Sequence, residues 1–152
     1  MSKYLALFIA LLLSITTSWA GPLLPKVKRD IPQRGVSPFR SGQVRLTTTR
    51  LESEVLGLLA ELGLKVHPNA KHRISLELQT EIEGLPKGNE EAYKLSITSD
   101  LISLKAYTDT GLYRGLQTLS QLYERGAWTA RVILDWPAFP WRGFMMDTGR
   151  TY

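Results

Sequence analysis

The sequence predicts an α+β domain in which a mainly antiparallel sheet carries two helices on one face. Five short runs alternate apolar with polar residues, and two longer segments repeat leucine at helical spacing. Their order, β-α-β-β-β-α-β, lacks the regular strand–helix repeat of a parallel α/β fold.

The first strand falls at 43–49, where Val44 and Leu46 alternate with polar residues and a threonine run follows. Over 51–62, Leu51, Val55, Leu58, Leu59 and Leu62 share one helical face, while Glu52, Glu54 and Glu61 lie mostly off it. Gly63 supplies the stop. In 73–79 the side chains of Ile74, Leu76 and Leu78 alternate inward, and the turn-rich stretch 84–89 separates this strand from the next. The runs 92–98 and 101–107 are linked by Ser99-Asp100 alone, which reads as a β-hairpin. Thr108-Asp109-Thr110 offers a helix cap. The helix it starts places Leu112, Leu116, Leu119 and Leu122 on one face and closes at Glu124-Arg125-Gly126. Gly111 and Gly115 also sit four apart, so their missing side chains would let this helix approach the sheet closely. Gln117 and Gln121 have the same spacing; facing water is the favoured expectation, with bonds to backbone as the alternative. A short strand at 131–134 completes the domain.

Residues on either side have a different texture. Lys3 precedes an uncharged apolar run over 5–13, and Ser18-Trp19-Ala20 leads into Gly21-Pro22. This is the build of a signal peptide over 1–20, cleaved after Ala20, and the apolar run is short of the roughly 20 residues a membrane span requires. The expectation is an exported protein without a stable membrane anchor. Residues 21–42 are rich in proline and glycine and read as an extended lead-in, 43–134 as the non-catalytic domain, and 135–152 as a linker followed by a further strand. The net charge is +5, with Lys26, Lys28, Arg29, Arg34 and Arg40 in the lead-in. Phe39 is the one aromatic residue among them, short of the repeated interleaving that base stacking would require, so a solvated tail is expected and no nucleic-acid partner. The absence of cysteine excludes disulfides, thiol nucleophiles and thiolate metal sites.

Candidate chemistry within 1–134 is sparse. His67 and His72 stand five apart around a predicted loop, without the helical i, i+4 spacing and intervening glutamate of a zinc pair. Glu81, Glu83, Glu90 and Glu91 fall at turn edges or outward strand positions, where solvated charge is the ordinary use. No glycine-rich phosphate loop or G-x-S-x-G elbow occurs. Neither a metal nor a cofactor is expected.

Two stretches carry a specific resemblance. The first joins Glu91-Ala-Tyr-Lys-Leu-Ser-Ile-Thr98, the strand Ile102 to Ala106, and Gly111-Leu-Tyr-Arg-Gly-Leu-Gln-Thr-Leu-Ser-Gln-Leu122. The second is Asp135-Trp-Pro-Ala-Phe-Pro-Trp-Arg-Gly-Phe-Met-Met-Asp-Thr-Gly-Arg150. Together, in this order, they resemble the β-N-acetylhexosaminidases of glycoside hydrolase family 20. The family's patterns are E-x-Y-x-L-x-I, G-x-x-x-G-x-x-T-L-x-Q-L and D-x-P-x-F-x-x-R-G-x-x-x-D-x-x-R. Thr151 and Gly149 depart from them, standing where the family usually has histidine and often has serine.

The resemblance implies a front domain followed by the first strand of a truncated (β/α)8 barrel, whose remainder would be its structural partner. It also implies exo-hydrolysis of terminal N-acetylhexosamine from a glycan, without a cofactor. An Asp-Glu pair expected downstream of Tyr152 would use the substrate's own acetamido group, which would leave this portion inactive by itself. Arg142 is the implied substrate-binding residue, its planar fork donating to ring hydroxyls. Read without the resemblance, Arg142 pairs with Asp147 or another carboxylate to hold the start of a strand. Asp147 and Arg150 are expected to support the barrel mouth. A stand-alone glycan- or protein-interaction module is the alternative reading of the whole chain. A glycosidase of another kind with a similar front domain is a third.

Overall fold

In a computed structural model, residues 23, 25–36, 42–48, 50–124, 129–139 and 141–143 are described. The signal peptide, Arg40, the helix stop at Gly126, the apolar run 144–146, Asp147 and Arg150 lie outside the described residues. The elements in chain order are β1 (Arg29–Val36), β2 (Gly42–Thr47), α1 (Glu52–Glu61), β3 (Leu64–Val66), β4 (His72–Leu78), β5 (Tyr93–Ile97), β6 (Leu101–Ala106), α2 (Asp109–Glu124) and β7 (Thr129–Asp135).

The strands form one mixed sheet in the order β1-β7-β5-β6-β4-β2-β3. β1–β7, β7–β5 and β5–β6 pair antiparallel, whereas β6–β4, β4–β2 and β2–β3 pair parallel. The α+β class and both helices are as the sequence predicts, but antiparallel pairing governs only half of the sheet. Alternation reveals which face of a strand is buried, not which neighbour it takes. Here the segment between β4 and β5 crosses the far side of the sheet, and the hairpin then returns β6 alongside β4. Ile82, Leu85 and Ala92 of that crossing bury against Leu134, with Val132, Trp136 and Tyr107 packed around them. This small second core stands on the face the helices leave free.

The lead-in also differs from expectation. Residues 29–36 form an edge strand on β7, in register from Arg29 opposite Leu134 to Pro32 opposite Arg131. Its pairing shifts between Pro32 and Val36, as suits a proline, which has no N–H to give a ladder and is confined to edges. Leu23 and Val27 are buried in the main core, so two apolar residues anchor a stretch whose composition suggests none.

That main core lies between the sheet and both helices. Val55, Leu59 and Leu62 from the α1 region meet Leu112, Leu116, Leu119 and Leu122 from α2 over the inward side chains of β2, β4, β5, β6 and β7. Tyr123 donates from its hydroxyl to the Leu62 carbonyl at 2.8 Å, tying the helices together. Gly63 ends α1 with φ +68°, a conformation glycine adopts without strain. Thr108 caps α2, its Oγ1 accepting from the Gly111 N–H at 3.2 Å. A Cβ on Gly115 would lie 2.2 Å from Leu104 Cδ1, and one on Gly111 would lie 2.6 Å from the Ala92 carbonyl oxygen. Both glycines therefore serve the close approach that their spacing implies.

Candidate functional site

Where the chain leaves β7 it folds back beside α2 and encloses, with the residues before β1, a cleft of about 450 Å³. Its floor comes from β5, one wall from α2, and the other from the linker at Trp136 and Phe139.

The strongest polar contacts at this cleft converge on Glu91. Arg142 Nη2 donates to both carboxylate oxygens, at 2.7 Å and 2.6 Å, and its Nη1 donates to the Phe139 carbonyl at 3.3 Å. From the helix, Arg114 Nε donates to Glu91 Oε2 at 2.9 Å while its Nη1 reaches Gln117 Oε1 at 3.1 Å. The Glu91 side chain is 22% exposed. Burial by itself would raise its pKa, but hydrogen bonds and charge from Arg142 and Arg114 outweigh it and hold the carboxyl below the ordinary glutamate value. Glu91 is therefore no solvated turn-edge carboxylate, as its position in the sequence suggests. The signal that could have found it is its place at the head of the E-x-Y pattern.

Arg142 occupies the use that the residues alone allow, pairing with a carboxylate, although the partner is Glu91 and Asp147 lies outside the described residues. Gln117 is exposed but engaged by Arg114, and Gln121 lines the cleft.

Deeper in the cleft, the Tyr93 hydroxyl and Thr118 Oγ1 share a buried hydrogen bond of 2.5 Å. Asp135 accepts from the Lys28 N–H at 3.0 Å. Burial raises the Asp135 carboxyl above its ordinary range, only partly countered by main-chain donors, the Lys28 charge and Tyr93. Burial likewise pushes the Tyr93 phenol well up, and the nearby Asp135 adds to the rise against the Thr118 bond. These groups knit the lead-in, β5, α2 and β7 together. The two histidines stay apart: His67 Nδ1 accepts from the Asn69 N–H at 3.2 Å, and His72 Nδ1 stands 3.9 Å from Asp100.

The arrangement is a helix-covered sheet whose polar cluster gathers where the chain departs. The chain belongs to glycosyl hydrolase family 20, whose domain 2 matches residues 23–136. Arg142 falls just beyond that match.

Among similar proteins, β-hexosaminidase subunit A1 of Dictyostelium discoideum is 36% identical over 90 residues, which is 55% of this chain and 17% of that protein. The human β-hexosaminidase subunit beta is 36% identical over 85 residues, 52% of this chain and 15% of that one. The chain thus spans about a sixth of the length of these relatives. Among solved structures, N-acetyl-β-hexosaminidase from Streptomyces plicatus superposes with a TM-score of 0.57 at 25% identity, over 84% of this chain and 28% of that one.

Proposed function

We propose that the chain is the N-terminal portion of an exported β-N-acetylhexosaminidase that removes terminal non-reducing N-acetylhexosamine from glycans by substrate-assisted catalysis. The observation that carries this reading is the family match over residues 23–136. The beta-hexosaminidase relatives at 36% identity support it. In the proposed enzyme the described domain is non-catalytic, and the adjacent Asp-Glu pair of the mechanism lies beyond Tyr152. No adjacent Asp-Glu occurs in these 152 residues. Export rests on the sequence of residues 1–20.

The proposal makes two demands on Arg142. One is the Glu91 pair. The other, donation to the ring hydroxyls of the terminal sugar, rests on the resemblance alone and would use the Nε–H and the second Nη1–H, which the bonds above leave unspent.

The test compares hydrolysis of an aryl N-acetyl-β-glucosaminide by the 152-residue chain and by a polypeptide extended with the coding sequence that follows codon 152. Turnover is expected only from the extended polypeptide. General acid catalysis is worth about 10²–10⁴-fold, and the short chain lacks the proposed acid. Hydrolysis by the 152 residues themselves would overturn the assignment of the chemistry to a later segment. In an active extended enzyme, Arg142→Lys keeps a charge for Glu91 but loses the planar fork. A rise in KM of about tenfold or more is expected from the lost charged hydrogen bonds, and an unchanged KM removes Arg142 from the sugar site.

A further inference from the structure

We infer that Glu91 is a positioning residue: through Arg142 it fixes the segment that leaves the domain and so sets the direction in which the chain continues. The inference does not depend on the hexosaminidase reading. Its first ground is that the acceptor is held by contacts independent of Arg142. The Glu91 N–H donates to Asn89 Oδ1 at 3.2 Å, and the flanking Glu90 carbonyl accepts from Thr108 Oγ1. Gly111 lets α2 come so close that an added Cβ would meet both the Ala92 and Glu90 carbonyls. Segment 89–92 is thereby docked on the first turn of α2, and Tyr93 is buried immediately after it.

The second ground is that Glu91 gathers guanidinium groups from two separate elements. Arg114 orients the carboxylate from α2, leaving both oxygens within reach of Arg142. Arg142 in turn bonds the Phe139 carbonyl, so that the linker is closed on itself at the point where it is held. Isolated surface ion pairs contribute little, and several charges joined in a network are the recognised exception. The tether holds Phe139 and Arg142 beside α2 while Phe139 and Trp141, 69% and 85% exposed, stay uncovered.

Trypsin reads this tether directly, because it must take the Arg142 side chain to cut Arg142–Gly143. In the 152-residue protein, Glu91→Ala should speed cleavage there about tenfold, the factor that one charged hydrogen bond is worth in an equilibrium. Glu91→Gln, which keeps one acceptor, should fall between Glu91→Ala and the parent. Arg114→Ala should have the smallest effect, since it spares the Arg142 pair. Cleavage after Arg73 in β4 provides the internal reference for global opening and should not change. Equal rates at Arg142 in parent and Glu91→Ala would overturn the inference. So would a parallel acceleration at Arg73 and Arg142, which would assign Glu91 to domain stability alone.

Discussion

The two halves of the sheet are built differently. The half comprising β1, β7, β5 and β6 pairs antiparallel, carries α2 and is packed on both faces, with the second core around Leu134 opposite the main one. The half comprising β4, β2 and β3 pairs parallel, carries α1 and ends in a three-residue edge strand. Helix approach differs as well. Gly111 and Gly115 of α2 have atoms of β6 or of the segment before β5 inside the space of a Cβ, whereas Gly57 of α1 has none within 4 Å. The polar cluster and the departing linker sit on the first half. A tightly packed half that positions the outgoing chain is thus joined to a looser half that completes the core, and substitutions should distinguish the two.

The largest difference is expected from leucine truncation. Leu95, wholly buried on β5, lies between β6 and β7 and beneath α2. Leu95→Ala should cost about 2–5 kcal/mol, the range for core Leu→Ala changes where neighbours cannot collapse into the cavity. Leu64 on the edge strand β3 is also buried, yet one flank of that strand is open. Leu64→Ala should cost less than half as much. Urea denaturation of both variants checks the ranking, and equal losses would erase the distinction between the halves.

Glycine replacement should reverse sign between the helices. Gly57→Ala adds a methyl group to an exposed helical position with open space around it, and should stabilise by about 0.4–1 kcal/mol. Gly111→Ala gains the same propensity but drives a Cβ to 2.6 Å from the Ala92 carbonyl. Main chain does not yield as a side-chain tip does, so a net loss of about 1–3 kcal/mol is expected. Thermal unfolding of the pair measures this, and a stabilising Gly111→Ala would show that α2 is free to lift from the sheet.

How much of this was legible in the sequence follows the same division. Local signals carry α1, α2 and the β5–β6 hairpin, because leucine spacing, caps and a two-residue link act over a few residues. The Gly111 and Gly115 contacts were legible too, since two glycines on one helical face have a geometric consequence. The parallel pairing of β4 with β6 was not, because it depends on where the 79–92 crossing lays Ile82 and Leu85, and those residues look like loop. β1 was hidden by its proline and glycine, which weaken strand alternation while an edge position tolerates them. At the cleft, the sequence suggested a carboxylate for Arg142 but did not single out Glu91 as that carboxylate. A glutamate beside a turn resembles solvated charge until the fold brings Arg114 and Arg142 to it from 23 and 51 residues away.

A smaller effect should come from the buried bond behind the cluster. Tyr93→Phe removes the hydroxyl shared with Thr118, whose side chain is 7% exposed and would lose its partner. The expected loss is about 1–2 kcal/mol, within the range for an orphaned buried hydroxyl. Thr118→Val together with Tyr93→Phe removes both polar ends and should recover part of it. A double variant no better than the single one would mean that water already serves Thr118.

The smallest expected effect is a pH dependence, and its sign follows from Glu91. Its carboxyl titrates below the ordinary value of 4.5 in the folded protein because Arg142 and Arg114 hold the charged form, although burial opposes them. An unfolded chain then binds the proton more readily than the folded one. The contribution of Glu91 to stability is therefore complete above about pH 4.5 and fades as the pH falls through the lower folded value. Asp135 acts in the opposite sense. Burial raises its folded pKa above 3.8, so its contribution is complete at lower pH and is lost as the pH rises through that raised value. Glu91→Gln should leave the Asp135 part in place and remove the acid-side loss. Stability measured from pH 2 to 7 should fall less steeply toward acid in Glu91→Gln than in the parent. The difference is small, because Arg114 and Arg142 are each 45% exposed and solvent screens them. A variant that loses stability toward acid as steeply as the parent would mean that the two arginines hold no more charge on Glu91 in the folded state than water does in the unfolded one.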